Sequence, residues 1–517
     1  MLWVKRAALA LLSLIAAIVI AAYFLWRGSL PLLDGEIAVA EITDTARIER
    51  DALGVVTITA NSRDAVAFAT GYAHAQDRWF QMDLMRRVGA GELAELLGAE
   101  FIERDKSLRR HAFRQVAGKV IALATPAQRQ LLDAYVAGVN AAREAFSVRS
   151  FEYLLLQSEP APWRSEDSLL VAFAMYIDLN DSRAAFELER ARLHASLPQA
   201  VFDFLYPRAT EWDAPLDGIE LTNVHVAIPG PEIIDLRKNP LPVPTHSVTS
   251  TQTDYPGSNN WAIAGTRTTT GAAVLANDMH LSLRLAHIWY RARLVVNSDD
   301  QSIARDLIGL TLPGLPVLVA GSNRHIAWGF TNTHGDFDDL VLIDSDAKYP
   351  NRYRTGEKYS DYVTRRERIN VRNGTAIEVE YRDTIWGPLI EEQLDGKPLA
   401  IAWTAHQPQA TNLRQLELEA ARSVEQALVV ANTAGIPAQN FLVADSAGNI
   451  GWTLIGQLPK RHGFNGELPA CWGCDSTVGW HGWLTPEEFP RIVNPPDGQL
   501  WSANSRTLGG AAAALIG

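Results

Sequence analysis

Ser258 is the residue whose setting in this chain best suits nucleophilic chemistry. It stands in Tyr255-Pro256-Gly257-Ser258-Asn259-Asn260-Trp261, behind a glycine and ahead of an apolar, β-prone run. Pro256 fixes its own φ and pushes Tyr255 toward an extended conformation, while Gly257 admits backbone angles that other residues resist. A hydroxyl so placed can attack the carbonyl of Gly257, and hydrolysis of the resulting ester leaves Ser258 as a new N-terminus. The freed α-amine titrates near ~7.7–8.0, so a neutral fraction is present at physiological pH to act as general base for its own hydroxyl. Such a nucleophile needs no histidine or aspartate partner. A lone Gly-Ser pair is otherwise an ordinary strand entrance, so the weight of the reading falls on the rest of the chain.

The elements on either side of Ser258 differ in texture. Residues 63–98 carry a helical pattern, with Asn61 or Ser62 as candidate N-caps and Gly98 as the terminator. Helical character continues to about Ala195, broken at Pro126 and around Pro160-Ala161-Pro162. Between about Pro229 and Pro256 the composition turns to Pro, Thr, Ser and Asn, which reads as an exposed linker. After Ser258 short apolar runs predict strands: Trp261–Ala264 and Ala273–Ala276 joined across Gly265–Gly271, and a hairpin of Phe441–Ala444 with Ile450–Thr453. Asn373-Gly374 marks another tight hairpin. Periodicity alone thus gives an α+β chain, helical first and β second.

Composition excludes more than it identifies. The 517 residues carry a net charge of −12 and no basic tract, which argues against a nucleic-acid partner and leaves neutral or cationic small substrates open. HExxH, GxSxG, P-loop and Rossmann signatures are all missing from the sequence. Lys5-Arg6 precede an apolar run from Ala7 to Trp26, long enough to cross a bilayer and closed by the bulky set Tyr23-Phe24-Leu25-Trp26 and Arg27. This favours an uncleaved signal anchor over a signal peptide, and either one exports the body. Cys471 and Cys474, the only cysteines, lie in a Pro-, Gly- and Trp-rich loop without further zinc ligands nearby. A local disulfide or two free thiols is the expectation, with no catalytic part.

Several blocks share an order that resembles the penicillin acylase (penicillin amidase) family of N-terminal-nucleophile hydrolases. They are Arg50-Asp51 with Gly54–Ala60, Gly71–Asp83, Gly91–Gly98, Gly257–Trp261, Ala276–Leu281, Ala327–Asn332 and Ser502–Arg506. The resemblance implies a four-layer αββα fold with the nucleophile at the end of a central strand. It also implies self-cleavage between Gly257 and Ser258, giving a heterodimer of two subunits from one precursor. The chain then divides into 1–27 as signal anchor or signal peptide, 28–234 as the first subunit, 235–257 as an excised spacer and 258–517 as the start of the second. The family's oxyanion donors fall on the backbone N–H of Asn332 and the side-chain amide of Asn504, and His280 falls where a residue orients the nucleophile through its backbone or ring. Gly335-Asp336-Phe337-Asp338-Asp339 resembles the family's structural calcium loop, with carboxylates from Asp336 and Asp339, a carbonyl from Asp338 and Glu187 reaching over from the first half.

The activity implied is hydrolysis of the amide bond of N-acylated small molecules, such as penicillin-like β-lactams, by a periplasmic or extracytoplasmic enzyme held at the inner membrane by residues 7–26. An acyl-homoserine-lactone or lipopeptide acylase is the alternative, and a catalytically silent, membrane-tethered binding protein is the rival from another class. The family pattern continues past Ser502–Arg506 through a further arginine-bearing segment. The tail Thr507–Gly517 carries no counterpart, so the sequence reads as interrupted.

Overall fold

The computed structural model describes residues 2–516 apart from 41, 43, 181–182, 222–223, 236, 239–256, 282–284, 299–302, 334 and 347. Most of the expected spacer, 235–257, therefore lies outside the described residues, as does Pro256. Helix α1 (Leu2–Gly28) buries none of its residues and has a mean hydropathy of 2.7, long and apolar enough to cross a membrane.

Helix α2 (Arg63–Ala90) begins where Ser62 accepts a hydrogen bond from the Ala65 N–H at 3.1 Å. It ends at Gly91, which adopts the left-handed φ of 67°. The expected stop at Gly98 instead closes a separate short helix, Leu93–Leu97. Pro126 opens the next long helix, Pro126–Ala145, behind a Thr125–Gln128 capping box. The two long helices touch backbone to backbone: a Cβ on Gly71 would strike the Tyr135 carbonyl, and one on Gly138 the Phe68 carbonyl.

The strands are β1 (Arg47–Arg50), β2 (Val56–Ala60), β3 (Gly257–Ile263), β4 (Val274–His280), β5 (Tyr290–Asn297), β6 (Ile303–Thr311), β7 (Leu318–Ser322), β8 (Ile326–Asn332) and β9 (Asp338–Leu342), followed by others named below by range. Nine strands make the central sheet, in the order β1, β2, β5, β6, β7, β8, Gln439–Asp445, Ile450–Ile455, Arg491–Val493. Its pairings are antiparallel except β2 with β5, which run parallel from Val56↔Ala292 to Ala60↔Val296. A three-stranded sheet holds β3 between Gln499–Ala503 and β4. Both hairpins expected in the second half form, although Val363–Ile369 and Ile377–Asp383 are joined across residues 370–376 rather than by a tight Asn-Gly turn, with Asn373 at φ 55°. Cys471 and Cys474 are disulfide-bonded.

Side-chain alternation explains the layering. In Gln439–Asp445, Phe441 and Val443 face a core shared with Ala65, Val66, Ala69 and Ala73 of α2, a helical i, i+4 stripe. Leu442 and Ala444 face the opposite core, shared with Ala262 of β3 and Leu500. Each large apolar side chain fully buried this way contributes roughly 1.5–3 kcal/mol. The result is α+β, with helices on one face of the central sheet and the β3 sheet on the other. The described residues thus form helix, sheet and sheet in the expected order, while the outer face of the β3 sheet is open at Trp261, Val274 and Trp501.

Candidate active site

Ser258 is the second residue of β3 and is buried, 8% exposed. Its Oγ donates to Asn504 Oδ1 at 2.7 Å and accepts from the backbone N–H of Asn332 at 3.1 Å. Three residues separated by 74 and 246 positions along the chain thus meet at one oxygen. Asn332 is the last residue of β8, and its N–H is available for a structural reason. β7 pairs with β8 only at Ala327 and Trp328, so the edge of β8 is open beyond them. At Phe330 the side chain of Asn277 takes the place of the missing strand, accepting from the Phe330 N–H at 3.1 Å and donating to its carbonyl at 2.8 Å. The same Nδ2 donates to the Asn259 carbonyl at 3.0 Å, which ties β8 to the strand that carries Ser258. Gly329 makes room, since a Cβ there would lie 2.7 Å from Asn277 Cβ. The Asn332 N–H, two residues on and pointing the same way along the strand, then faces Ser258.

This arrangement suits an oxyanion. A fixed N–H already lies on the nucleophile, and a half-turn of the Asn504 amide exchanges its oxygen for Nδ2, which gives a second donor. Donors of this kind matter most in a buried site, where little reorganisation is needed as charge develops.

Of the two routes expected of His280, by backbone or by ring, the register turns the ring away. Its backbone pairs with Gly257, while Ser258 pairs with Met279, so the pleat sends the His280 ring to the face opposite Ser258. The ring is exposed and lies 2.8 Å from Asp278. The His280 main chain instead pairs with Gly257, the residue before Ser258.

The acidic loop does converge with the first half of the chain, but around a side chain that the sequence did not reveal. The Asp339 carboxylate, fully buried on β9, accepts from Arg461 Nε at 2.9 Å and Trp480 Nε1 at 2.6 Å. Arg461 Nη2 also donates to the Asp336 carbonyl at 2.9 Å and lies 3.2 Å from its carboxylate. Asp338 accepts from the Ala184 N–H at 3.2 Å, and Glu187 from the Leu340 N–H at 2.7 Å. Burial opposes the Arg461 charge, yet Asp336 and Asp339 hold the guanidinium protonated. Burial also pushes the Glu187 carboxyl well above its usual range, with Asp339 and Asp336 adding to the effect. The guanidinium pairs with both Asp336 and Asp339, while Glu187 Oε1 is buried without a hydrogen-bond partner. The expected calcium ligands Glu187, Asp336, Asp338 and Asp339 are thus brought into one cluster, in which Arg461 is the counterion of Asp336 and Asp339.

The family model for penicillin amidase matches residues 45–516. The chain belongs to the penicillin amidase family. Among its relatives, penicillin acylase 2 proenzyme of a Pseudomonas species (strain SE83) is 30% identical over 492 residues, covering 93% of this chain and 61% of the relative. Acyl-homoserine lactone acylase QuiP of Pseudomonas aeruginosa is 28% identical, with 93% and 57% covered. Penicillin G acylase of Escherichia coli is 26% identical, with 94% and 62% covered. The chain spans about three-fifths of the length of these curated relatives. A solved thermostable penicillin G acylase of Alcaligenes faecalis aligns over 47% of this chain and 43% of its own at 25% identity and a TM-score of 0.41.

Family motifs pointed to Ser258, Asn332 and Asn504. They did not point to Asn277, whose block was visible but whose task depends on where β7 stops. Nor did they point to Arg461, which lies in Lys460-Arg461-His462 with nothing local to mark it.

Proposed function

We propose that this member of the penicillin amidase family is a self-processing acylase that hydrolyses the amide bond of N-acylated small molecules through an acyl-Ser258 intermediate. The observation that carries the reading is the placement of Ser258 Oγ, directly after Gly257, between the Asn332 N–H and the Asn504 amide. In maturation, Ser258 Oγ attacks the Gly257 carbonyl carbon and the peptide C–N bond breaks, so the acyl group passes from nitrogen to oxygen. Water then hydrolyses the ester, leaving a Gly257 carboxylate and a free Ser258 amine. In turnover that amine takes the Oγ proton as Oγ attacks the substrate amide and returns it to the leaving amine, and water releases the acid. The spacer lies in 235–257, and the two resulting subunits stay together as a heterodimer. Helix α1 exports the body and anchors it at the outer face of the inner membrane. Relatives named penicillin acylase and acyl-homoserine lactone acylase match comparable shares of the chain, which keeps the homoserine-lactone amide as a second substrate class.

N-terminal sequencing of the larger fragment tests the reading. It is expected to begin at Ser258; Ser258→Ala should stay a single chain, and Ser258→Cys should be cut at least in part, because a thiol makes the same acyl shift. A fragment starting elsewhere, or a Ser258→Ala protein cut as the wild type is, overturns both nucleophile and base.

A further inference from the structure

Beneath Ser258, between the two sheets, runs a buried polar chain in a region otherwise packed with Leu, Trp and Ala. Thr507 Oγ1 donates to Asn440 Oδ1 at 3.2 Å, and Asn440 Nδ2 donates to Thr331 Oγ1 at 3.0 Å. Thr331 Oγ1 lies 2.7 Å from Ser502 Oγ, which donates to Asn260 Oδ1 at 2.6 Å. Since the single Ser502 proton goes to Asn260, Thr331 supplies the proton of the middle link. The bonds therefore run in one direction from Thr507 to Asn260, an arrangement in which each bond polarises the next. All five residues are buried, and Asn440 and Thr331 are 0% exposed.

Three of the five side chains in this relay lie next to a residue of the candidate site. Thr331 precedes Asn332, Ser502 lies two residues before Asn504, and Asn260 lies two residues after Ser258 on the same face of β3. Asn440 spans both oxyanion arms, as does Thr331, whose Oγ1 also lies 3.4 Å from the Ala503 carbonyl. Asn440 pairs with Thr331 in the sheet ladder, and its Nδ2 also lies 3.5 Å from the carbonyl of Ala503, next to Asn504. An apolar contact would hold the two sheets together while tolerating small slides, since non-directional packing fixes no register. A directional chain closes at one spacing only.

We infer that Asn440 is a positioning residue for the oxyanion hole, fixing the separation between the Asn332 N–H and the Asn504 amide through Thr331 and the 502–507 segment. The inference rests on the acylase reading above. Functional groups of this kind have to be held within about 0.5 Å, and removal of one oxyanion donor costs roughly 10²–10³ in kcat. Displacing a donor is a smaller perturbation than deleting it.

The test uses Asn440→Leu and, as a smaller change, Thr331→Val, with Asn504→Ala and the double variant Asn440→Leu/Asn504→Ala. Hydrolysis of a series of acyl p-nitroanilides, acetyl to decanoyl, is followed on the full chain. The expected result is a loss of kcat of roughly tenfold to hundredfold at unchanged KM, and a double variant no slower than Asn504→Ala alone. Losses that multiply in the double variant, or a rise in KM at constant kcat, would show a merely structural role and overturn the inference. If Asn440→Leu does not fold, Thr331→Val decides alone, and wild-type kcat there is equally fatal. Wild-type protein that is cut at Ser258 and active, with variants as fast as itself, removes this inference and leaves the acylase reading intact. Wild-type protein that is neither cut nor active removes both.

Discussion

Replacing Arg461 by methionine isolates the role of the internal cation, because the change keeps most of the length of the side chain and deletes only its charge and donors. In the folded protein Arg461 is 8% exposed and Asp339 fully buried. The variant therefore strands a carboxylate that keeps one donor, Trp480, and takes from Asp336 its contact with the guanidinium. Removing one partner of a buried ion pair typically costs ~3–5 kcal/mol, because the surviving charge has lost its compensation. Unfolding entropy of ~2.1 cal/mol/K per residue over 517 residues amounts to about 1 kcal/mol per kelvin. The Tm of Arg461→Met should consequently fall by roughly 3–5 °C. Calorimetry or tryptophan fluorescence on wild type and variant, each with chelator and with millimolar calcium, is the measurement. Wild-type melting should be the same in both buffers, since the guanidinium already pairs with Asp336 and Asp339. A chelator-induced fall in the wild-type Tm, or an Arg461→Met protein as stable as its parent, would refute the argument that the guanidinium stands where the family loop holds metal.

Two further outcomes follow from the same geometry. Asn504→Ala should lower kcat by roughly 10²–10³ with little change in KM, because its amide serves the charge that develops only in the transition state; equal losses in KM and none in kcat would remove it from the oxyanion hole. Acid should destabilise the protein through His74, which is buried between Tyr135 and Thr311 at 2.9 and 2.8 Å and whose pKa burial lowers from 6.5 to about 3, with Arg78 adding to the effect. Below pH 6.5 the unfolded chain binds a proton there that the native ring refuses, so stability present at neutral pH is lost as pH falls toward 3. The gap in unfolding free energy between wild type and His74→Gln should shrink by about 2 kcal/mol from pH 7 to pH 5. Urea titrations at the two pH values measure it, and a gap independent of pH would show that His74 titrates in the native state as it does in the unfolded chain.

Local signals were sufficient wherever a single segment decides the outcome. Ser62 as a cap, the helix break at Pro126, and the hairpins at Asn373 and at 445–448 all follow from residues within a few positions of one another. The three arms of the site were legible only as motifs, since nothing within Ala327–Asn332 says that its last N–H will meet a hydroxyl 74 residues upstream. What escaped depends on the relation between strands. The orientation of the His280 ring follows from the register Ser258↔Met279, which one residue of slip would invert. Nothing local marks Arg461 or Asn440; tertiary packing alone makes them a buried counterion and a sheet-to-sheet hub. The helical pattern runs on to Gly98 because apolar residues resume at Leu93, only two residues past the left-handed Gly91 that stops α2.

The parallel seam between β2 and β5 acquires a different meaning if the backbone is severed at Ser258. That seam joins a strand from before the cut to one from after it by five residue pairs, and Glu187 reaches across the same divide to the Leu340 N–H. The folded ground state would hardly register the break. The route back to it would change in kind. An intact chain finds β5 with β2 as a loop closure, whose entropy grows only slowly with length; two separate polypeptides must find each other, at a rate set by their concentration. Maturation would then be a one-way passage: the protein is assembled as one molecule, and afterwards its persistence rests on how slowly the two pieces come apart.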